Sequence, residues 1–400
     1  MADSANDWRT SLTASERYEN IQIITQALAI TGNSTQSAFG IENEAYKTAA
    51  SREEYNSACT LHPPPTSPPE TSSSPPFSPS RDSTSASPGI RIGPYQNCHY
   101  LASGATSEVY RTTSPDNTKL VALKVIVETY NIAPHNPHRE GKLLASFSSP
   151  NLISLLSTFH DQNQRLVLAL PYYPLTLGAL ISSHAASQTR FPPSLFKKVF
   201  ISLFSALEYI HNQGIIHRDI KPAALLLSSD FSEIVLSDFG TAWHPSYSPI
   251  SASNPEPVDD KVLDVGTGPY RAPEVLFGDK SYGTAVDIWA AGCMIAECTR
   301  LRPLFESRGV HEDGNQLGLI LSIFKTMGSP TRQSWPEAEG FRTPPFDIYT
   351  VFPERNWEEV LPEMEERWRG LVEGCVKYES GQRMKADEVL GVLEGGELSD

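Results

Sequence analysis

Positive charge is scarce in this sequence: 32 lysines and arginines stand against 47 aspartates and glutamates, a net charge of −15 over 400 residues. Phosphate backbones reward clustered lysine and arginine, so this balance, with no basic run, speaks against a nucleic-acid partner. Long apolar runs are missing as well. Runs such as RLVLAL and LISLL fall far short of the ~20 residues that cross a bilayer, and the opening MADSANDW is polar and acidic rather than basic and then apolar. The expectation is a soluble protein of the cytoplasm or nucleus with no membrane partner. Cysteine is sparse: Cys59, Cys98, Cys293, Cys298 and Cys375 show no metal-ligand spacing, and an odd count in a long chain suits reduced thiols better than a disulfide frame. What is present is 39% apolar residues, enough to bury a substantial core.

Composition changes sharply over residues 61–90, where HPPPTSPPETSSSPPFSPSRDSTSASPG holds too little apolar area to offset chain entropy. A disordered linker is expected there, with Ser-Pro pairs at Ser67, Ser74, Ser78 and Ser87 that composition alone explains. Ahead of it, over residues 1–60, ERYENIQIITQALAI carries Ile21, Ile24 and Leu28 at helical spacing, and EAYKTAASREEYNSA reads as a second helix on an exposed, charged surface. Behind it, HYLASGATSEVYRTT and NTKLVALKVIV alternate like paired strands, HREGKLLASF reads as a helix, and LISLLSTFH and QRLVLAL as two more strands. From Pro192 onward the period is mainly helical, as in FKKVFISLFSALEYIHNQG and TAVDIWAAGCMIAEC. A small strand-rich part precedes a larger helical one.

Chemistry gathers in that second region. Lys124 in VALK follows a loop able to cover phosphates, Glu140 sits on the next helix, Asp219 stands in HRDIK, Asp238 in SDFG, and Ala272, Pro273 and Glu274 form APE. Each motif alone is weak, and their order and spacing carry the argument. Residues 91–393 resemble a eukaryotic protein kinase domain, an α+β bilobal fold, and GTGPYRAPEVLFGDKSYGTAVDIWAAGCMIAE with NQLGLILSIFKTMGSPTRQSWP further resembles the cyclin-dependent kinases. The resemblance implies a serine/threonine kinase that uses ATP and Mg2+ on a protein substrate. It implies Asp219 as catalytic base, Lys221 on the γ-phosphate, Thr267 hydrogen-bonded to Asp219, and Asp238 as the metal ligand. The nucleotide would be held by Leu101, Gly104, Val109, Ala122, Lys124 paired with Glu140, the gatekeeper Leu170, the hinge through Tyr173, and Leu226. Glu274 would pair with Arg383 and Asp287 would brace the HRD backbone.

Four departures qualify this picture. The glycine-rich loop reads Ala102, Gly104, Ser107, so only its middle glycine survives. Ala224 stands where the family carries a metal-binding asparagine, a loss worth roughly a hundred- to a thousandfold in turnover by analogy with lost transition-state donors. Val262 occupies the place of the activating phosphothreonine, so activation by that phosphate is excluded, while Asp259, Asp260 and Asp264 offer fixed negative charge toward Arg218. Pro134 and Pro137 stop the helix before Glu140 from extending upstream, so a cyclin partner is not expected. The degraded glycine loop, the absent activating threonine and the absent cyclin helix together resemble the fungal single-chain kinases that phosphorylate cyclin-dependent kinases on their activation loop. Two other readings stay open: a pseudokinase or scaffold that Ala224 has disarmed, and a transcriptional adaptor, because DWRTSL, RYENIQIITQAL and IENEAYKTAASREEY resemble the KIX-like domain of Mediator tail subunits, which takes up activator helices.

Overall fold

The computed structural model describes residues 8–12, 16–17, 20, 23–24, 38–60, 89–104, 106–127, 133–246, 256–306, 314–346 and 350–395. The Pro/Ser-rich stretch lies outside them up to residue 88, as does most of ERYENIQIITQALAI. Two units divide the chain: Met1–Tyr130 with Leu156–Tyr172, and Asn131–Leu155 with Tyr173–Asp400.

The first unit is built on strands β1 (Ile90–Ile92), β2 (Tyr95–Ser103), β3 (Ser107–Thr113), β4 (Leu120–Ile126), β5 (Ser157–His160) and β6 (Leu166–Pro171), an antiparallel sheet in the order β1-β2-β3-β4-β6-β5. Ile90 thus opens the sheet rather than closing the linker. β4 is paired on both edges, and its alternation sends Val121, Leu123 and Val125 into a core with Val167, Ala169, Ile92 and Cys98. β-Branched residues suit such a pleated surface packed on one face. LISLLSTFH is strand only from Ser157; its Leu152 bridges to Leu236 in the other unit's sequence, because both belong to that second unit.

EAYKTAASREEYNSA is two helices, not one: α1 (Ala38–Thr48) and α2 (Arg52–Thr60). The charged residues Glu44, Lys47, Glu53 and Glu54 are exposed, while one face of the two helices and the preceding Glu42 turn inward. Glu42, Ala45, Tyr55 and Cys59 are buried, and Arg17 clasps Glu42 with two hydrogen bonds of 2.7 and 2.6 Å while the Tyr55 hydroxyl donates to the same carboxylate at 2.5 Å. A buried carboxylate demands such partners, which a count of charges along the chain does not reveal. Ile24, Ala45, Ala49, Tyr55 and Cys59 form a small core, and Val127, one residue past β4, packs against it.

The second unit contains helices α3 (Pro137–Ser146), α4 (Leu177–Ser187), α5 (Pro193–His211), α6 (Pro273–Leu276), α7 (Ala285–Arg300), α8 (Gly314–Met327), α9 (Trp357–Val360), α10 (Glu366–Cys375) and α11 (Ala386–Glu394), and a short sheet β7 (Leu175–Thr176), β8 (Leu225–Leu227), β9 (Ile234–Leu236). In α5 the apolar residues Phe196, Val199, Phe200, Leu203, Leu207 and Ile210 recur at helical spacing and are all buried. α7 is apolar all round from Ile288 to Cys298 apart from Glu297, and it is buried all round. Glu274 and Arg383 form a fully buried bidentate pair at 2.6 and 2.7 Å. All five cysteines are reduced and buried.

Candidate active site

The loop between α5 and β8 is shaped by one carboxylate in the first turn of α7. Asp287 accepts the backbone N–H groups of His217 and Arg218, each at 2.9 Å, and His211 Nε2 lies 3.0 Å away. Burial alone would raise the Asp287 carboxyl, but the hydrogen bond and charge of His211, with the His217 N–H, hold it below the usual range. These bonds keep Arg218 at φ +71°, a left-handed conformation worth of order 1–3 kcal/mol of strain for a long side chain.

Three residues converge just beyond. Lys221 Nζ donates to Asp219 Oδ2 at 2.5 Å, Thr267 Oγ1 donates to Asp219 Oδ1 at 2.6 Å, and Lys221 Nζ lies 3.3 Å from the Thr267 hydroxyl. Asp219 is therefore held from two sides, with its side chain still 11% exposed. His217 Nε2 sits 2.9 Å from the Ser237 carbonyl, and its ring meets the buried Phe239 edge-on at 4.7 Å, which ties this loop to the D-F-G stretch.

Asp238 adopts a left-handed backbone, φ 66° and ψ 63°. Asn136, whose side-chain oxygen caps α3 by accepting the Arg139 N–H, donates its own backbone N–H to the Gly240 carbonyl at 2.9 Å. A Cβ on Gly240 would stand 3.5 Å from Glu140 Oε2 and 3.7 Å from Asp238 Oδ1, so both carboxylates reach the space that this glycine leaves open. Ala224 is buried at 1% exposure, with its N–H on the Lys221 carbonyl and its own carbonyl taken up by Ser237. Among the described residues no group of three or more His, Cys, Asp or Glu side chains gathers as a metal cage. The side chains suit a single carboxylate-held cation at Asp238 and offer no lone pair from residue 224.

In the first unit, Val109 stands opposite Lys124 across β3 and β4, Ala102 opposite Val109, and Ala122 opposite Leu170. The Gly104 N–H closes on the Ser107 carbonyl at 2.8 Å, which tightens the loop between β2 and β3 despite the lost glycines. Leu101 is exposed and Leu170 buried. Tyr173 and Leu226 belong to the second unit: the Tyr173 hydroxyl donates to Glu233 at 3.1 Å, and Leu226 on β8 faces Thr176 and Val235. Lys124 lies in the first unit and Glu140 in the second.

The carboxylate paired with Arg218 is Glu256 rather than Asp260 or Asp264. Asp260 pairs with Lys280 at 2.6 Å and Asp264 lies 3.7 Å from Arg271, whereas Arg218 Nη1 donates to Glu256. Glu256 also accepts the N–H of Val262 at 2.9 Å and lies 3.5 Å from Arg139. No motif marks Glu256; the signal available in the sequence was only that two cations, Arg139 and Arg218, flank motif positions and need an anion. Gly266 adopts φ +79°, where a Cβ would press on Arg271 Cγ at 3.1 Å.

Residues 95–392 match the protein kinase domain family. The chain belongs to the protein kinases. The serine/threonine-protein kinase csk1 of Schizosaccharomyces pombe is 31% identical over 282 residues, spanning 70% of this chain and 87% of that protein. Among solved structures, one of the yeast RNA Pol II CTD kinase CTDK-1 complex aligns with a TM-score of 0.60 at 27% identity, covering 79% of this chain and 95% of its counterpart. The kinase is thus a serine/threonine protein kinase of the cyclin-dependent type with the α+β bilobal fold. Such kinases take ATP, a divalent metal ion and a protein substrate.

Proposed function

We propose that this kinase transfers the ATP γ-phosphate to a serine or threonine hydroxyl through Asp219, and that the observation carrying the assignment is the convergence of Lys221 and Thr267 on that carboxylate. Asp219 accepts the substrate hydroxyl proton as the oxygen bonds to the γ-phosphorus. The bond between that phosphorus and the bridging oxygen breaks, and ADP departs with the electron pair. Thr267 aims Asp219 Oδ1 and leaves the second oxygen to Lys221, whose ammonium is placed to meet phosphate charge once the nucleotide is present.

Leu101, Val109, Ala122, Leu170 and Leu226 would line the adenine site, Tyr173 would offer its backbone at the hinge, Gly104 would admit the phosphates, and Lys124 with Glu140 would hold them. Asp238 would carry Mg2+, which supplies positive charge to the phosphates when bound. With alanine at 224 the second metal shell is incomplete, which makes this a slow kinase rather than a silent one. The substrate we favour is the activation loop of another kinase, in the cytoplasm or nucleus, without a cyclin. The N-terminal helices retain the proposed role of receiving an activator peptide, which a titration of the full chain with an amphipathic helix would test.

Single-turnover phosphate transfer with ATP and magnesium, beside an Asp219→Asn control, tests the central assignment. Transfer that is lost by at least about a hundredfold in the control supports it. A wild-type chain no faster than the control would return the pseudokinase reading.

A further inference from the structure

Two arginines from separate elements point at one place in the second unit. Arg218 comes from the catalytic loop and Arg139 from α3, directly ahead of Glu140; their side chains are 0% and 4% exposed. Two buried guanidinium groups repel unless an anion lies between them. Burial, together with the charge of Arg218, pushes Arg139 down to about 10, and Glu256 opposes that fall. The anion is Glu256, 11% exposed, with one oxygen on Arg218 and the other shared by Arg218 and Arg139. Burial would raise its carboxyl, yet the two arginines and the Val262 N–H hold it below the usual value.

The remaining bonds run outward along the segment that follows D-F-G. The Trp243 indole donates to the Glu256 carbonyl at 2.9 Å, the Val262 N–H to its carboxylate at 2.9 Å, and the Tyr282 hydroxyl to the Val262 carbonyl at 2.6 Å. Arg218 closes the ring by donating to the Tyr282 oxygen at 3.1 Å and to the Thr241 carbonyl at 2.5 Å. Lys261 lies over the Trp243 and Tyr282 rings at 4.8 and 5.2 Å. Glu256 therefore joins four things: Trp243 in the segment after D-F-G through its backbone carbonyl, and, through its carboxylate, the HRD arginine, the helix of Glu140 and residue 262, which has no hydroxyl to phosphorylate.

We propose that Glu256 is a permanent anionic clasp, a positioning residue that holds the activation segment and the Glu140 helix in their working arrangement, so that catalysis needs no phosphate on this segment. The proposal rests on the kinase assignment. It makes the kinase constitutive at this point of control: a phosphate would bring the same charge only when another enzyme supplied it, whereas a carboxylate is present from synthesis.

The test uses the full chain made in bacteria, before and after treatment with a broad-specificity protein phosphatase, with phosphate content followed by mass spectrometry and Asp219→Asn as the blank. The wild type should keep its turnover within about twofold once phosphate-free. Glu256→Gln, which preserves shape and removes charge, should lower kcat at least about tenfold while changing the KM for ATP far less. Added sulfate should restore Glu256→Ala in a saturable way, a rescue that a purely packing role would not produce. Loss of wild-type activity on phosphatase treatment, or a Glu256→Gln enzyme of unchanged kcat, overturns the proposal. A phosphate-containing wild type no faster than the blank also overturns it, by removing the catalysis it serves, and is told apart because both preparations are then equally inactive. Should the Glu256 variants fail to fold, the phosphatase comparison decides alone.

Discussion

Ser237 donates twice to the carbonyl oxygen of Ala224, from its backbone N–H at 2.9 Å and from its hydroxyl at 2.8 Å. The backbone of residue 224 is thereby locked beside the residue that precedes Asp238, while its side chain ends at a buried methyl group. A longer polar side chain at 224 would begin from a fixed stem.

Ala224→Asn should raise turnover by about tenfold to a thousandfold, because an amide oxygen there acts on charge that grows toward the transition state. The gain should appear in kcat more than in ATP affinity, and the rate should depend more steeply on free magnesium. Thermal melting beside the kinetics separates this from overpacking, which would lower stability by roughly 1–3 kcal/mol without a kinetic gain.

Nucleotide binding should depend on Lys124, which stands opposite Val109 in the middle of the sheet. ATP with magnesium should raise the melting temperature of the wild type, and Lys124→Met should erase most of that rise. A flat melting curve across an ATP titration of the wild type would count against the assigned site.

Gly266 holds φ +79°, and in cyclin-dependent kinases a positive φ at this place turns the carbonyl away from the substrate, which would leave proline after the phospho-acceptor acceptable here. A peptide library should show proline accepted but not required. Gly266→Ala should cost about 1–3 kcal/mol of strain, read as a loss of kcat/KM for peptide with little change in the KM for ATP.

Acid should loosen the catalytic loop through Asp287. Its folded carboxyl lies below the ordinary value of 3.8, so the folded state binds its proton less readily than the unfolded chain. The associated stability is fully present above that ordinary value and is lost as pH falls through the lower, folded one. Asp287→Asn should flatten this part of the acid limb in urea titrations followed from about pH 5 to about pH 2, and should cost about 1.5–3 kcal/mol at neutral pH.

Most of the architecture was legible because it follows from local pattern. Alternation in VALKVIV and the helical spacing in FKKVFISLFSALEYIH each match the element formed, and HRD, DFG and APE fall in the order a kinase needs. Long-range pairs were readable only where the family resemblance named both partners, as with Glu274 and Arg383. Glu256 escaped because its meaning lies wholly in Arg139 and Arg218, both more than thirty residues away along the chain. In the N-terminal helices Glu44, Lys47, Glu53 and Glu54 are exposed as their run suggests, whereas Glu42, just ahead of that run, is enclosed by Arg17 and Tyr55, a pairing that only contacts distant along the chain reveal. The aspartates at 259, 260 and 264 were attractive by proximity in sequence, yet two of them serve other cations.

Burial of every thiol has a practical side. Burial pushes Cys59 up to about 11 and Cys375 up to about 12, and raises Cys98, Cys293 and Cys298, so none offers an accessible thiolate in the folded chain. An alkylating reagent can therefore react only when a region opens. Cys59 reports on the N-terminal helices, Cys98 on the sheet, and the remaining three on the helices around α7 and α10. The unaltered protein carries its own set of internal clocks, and the order in which mass spectrometry finds them labelled would rank the local opening rates of its parts.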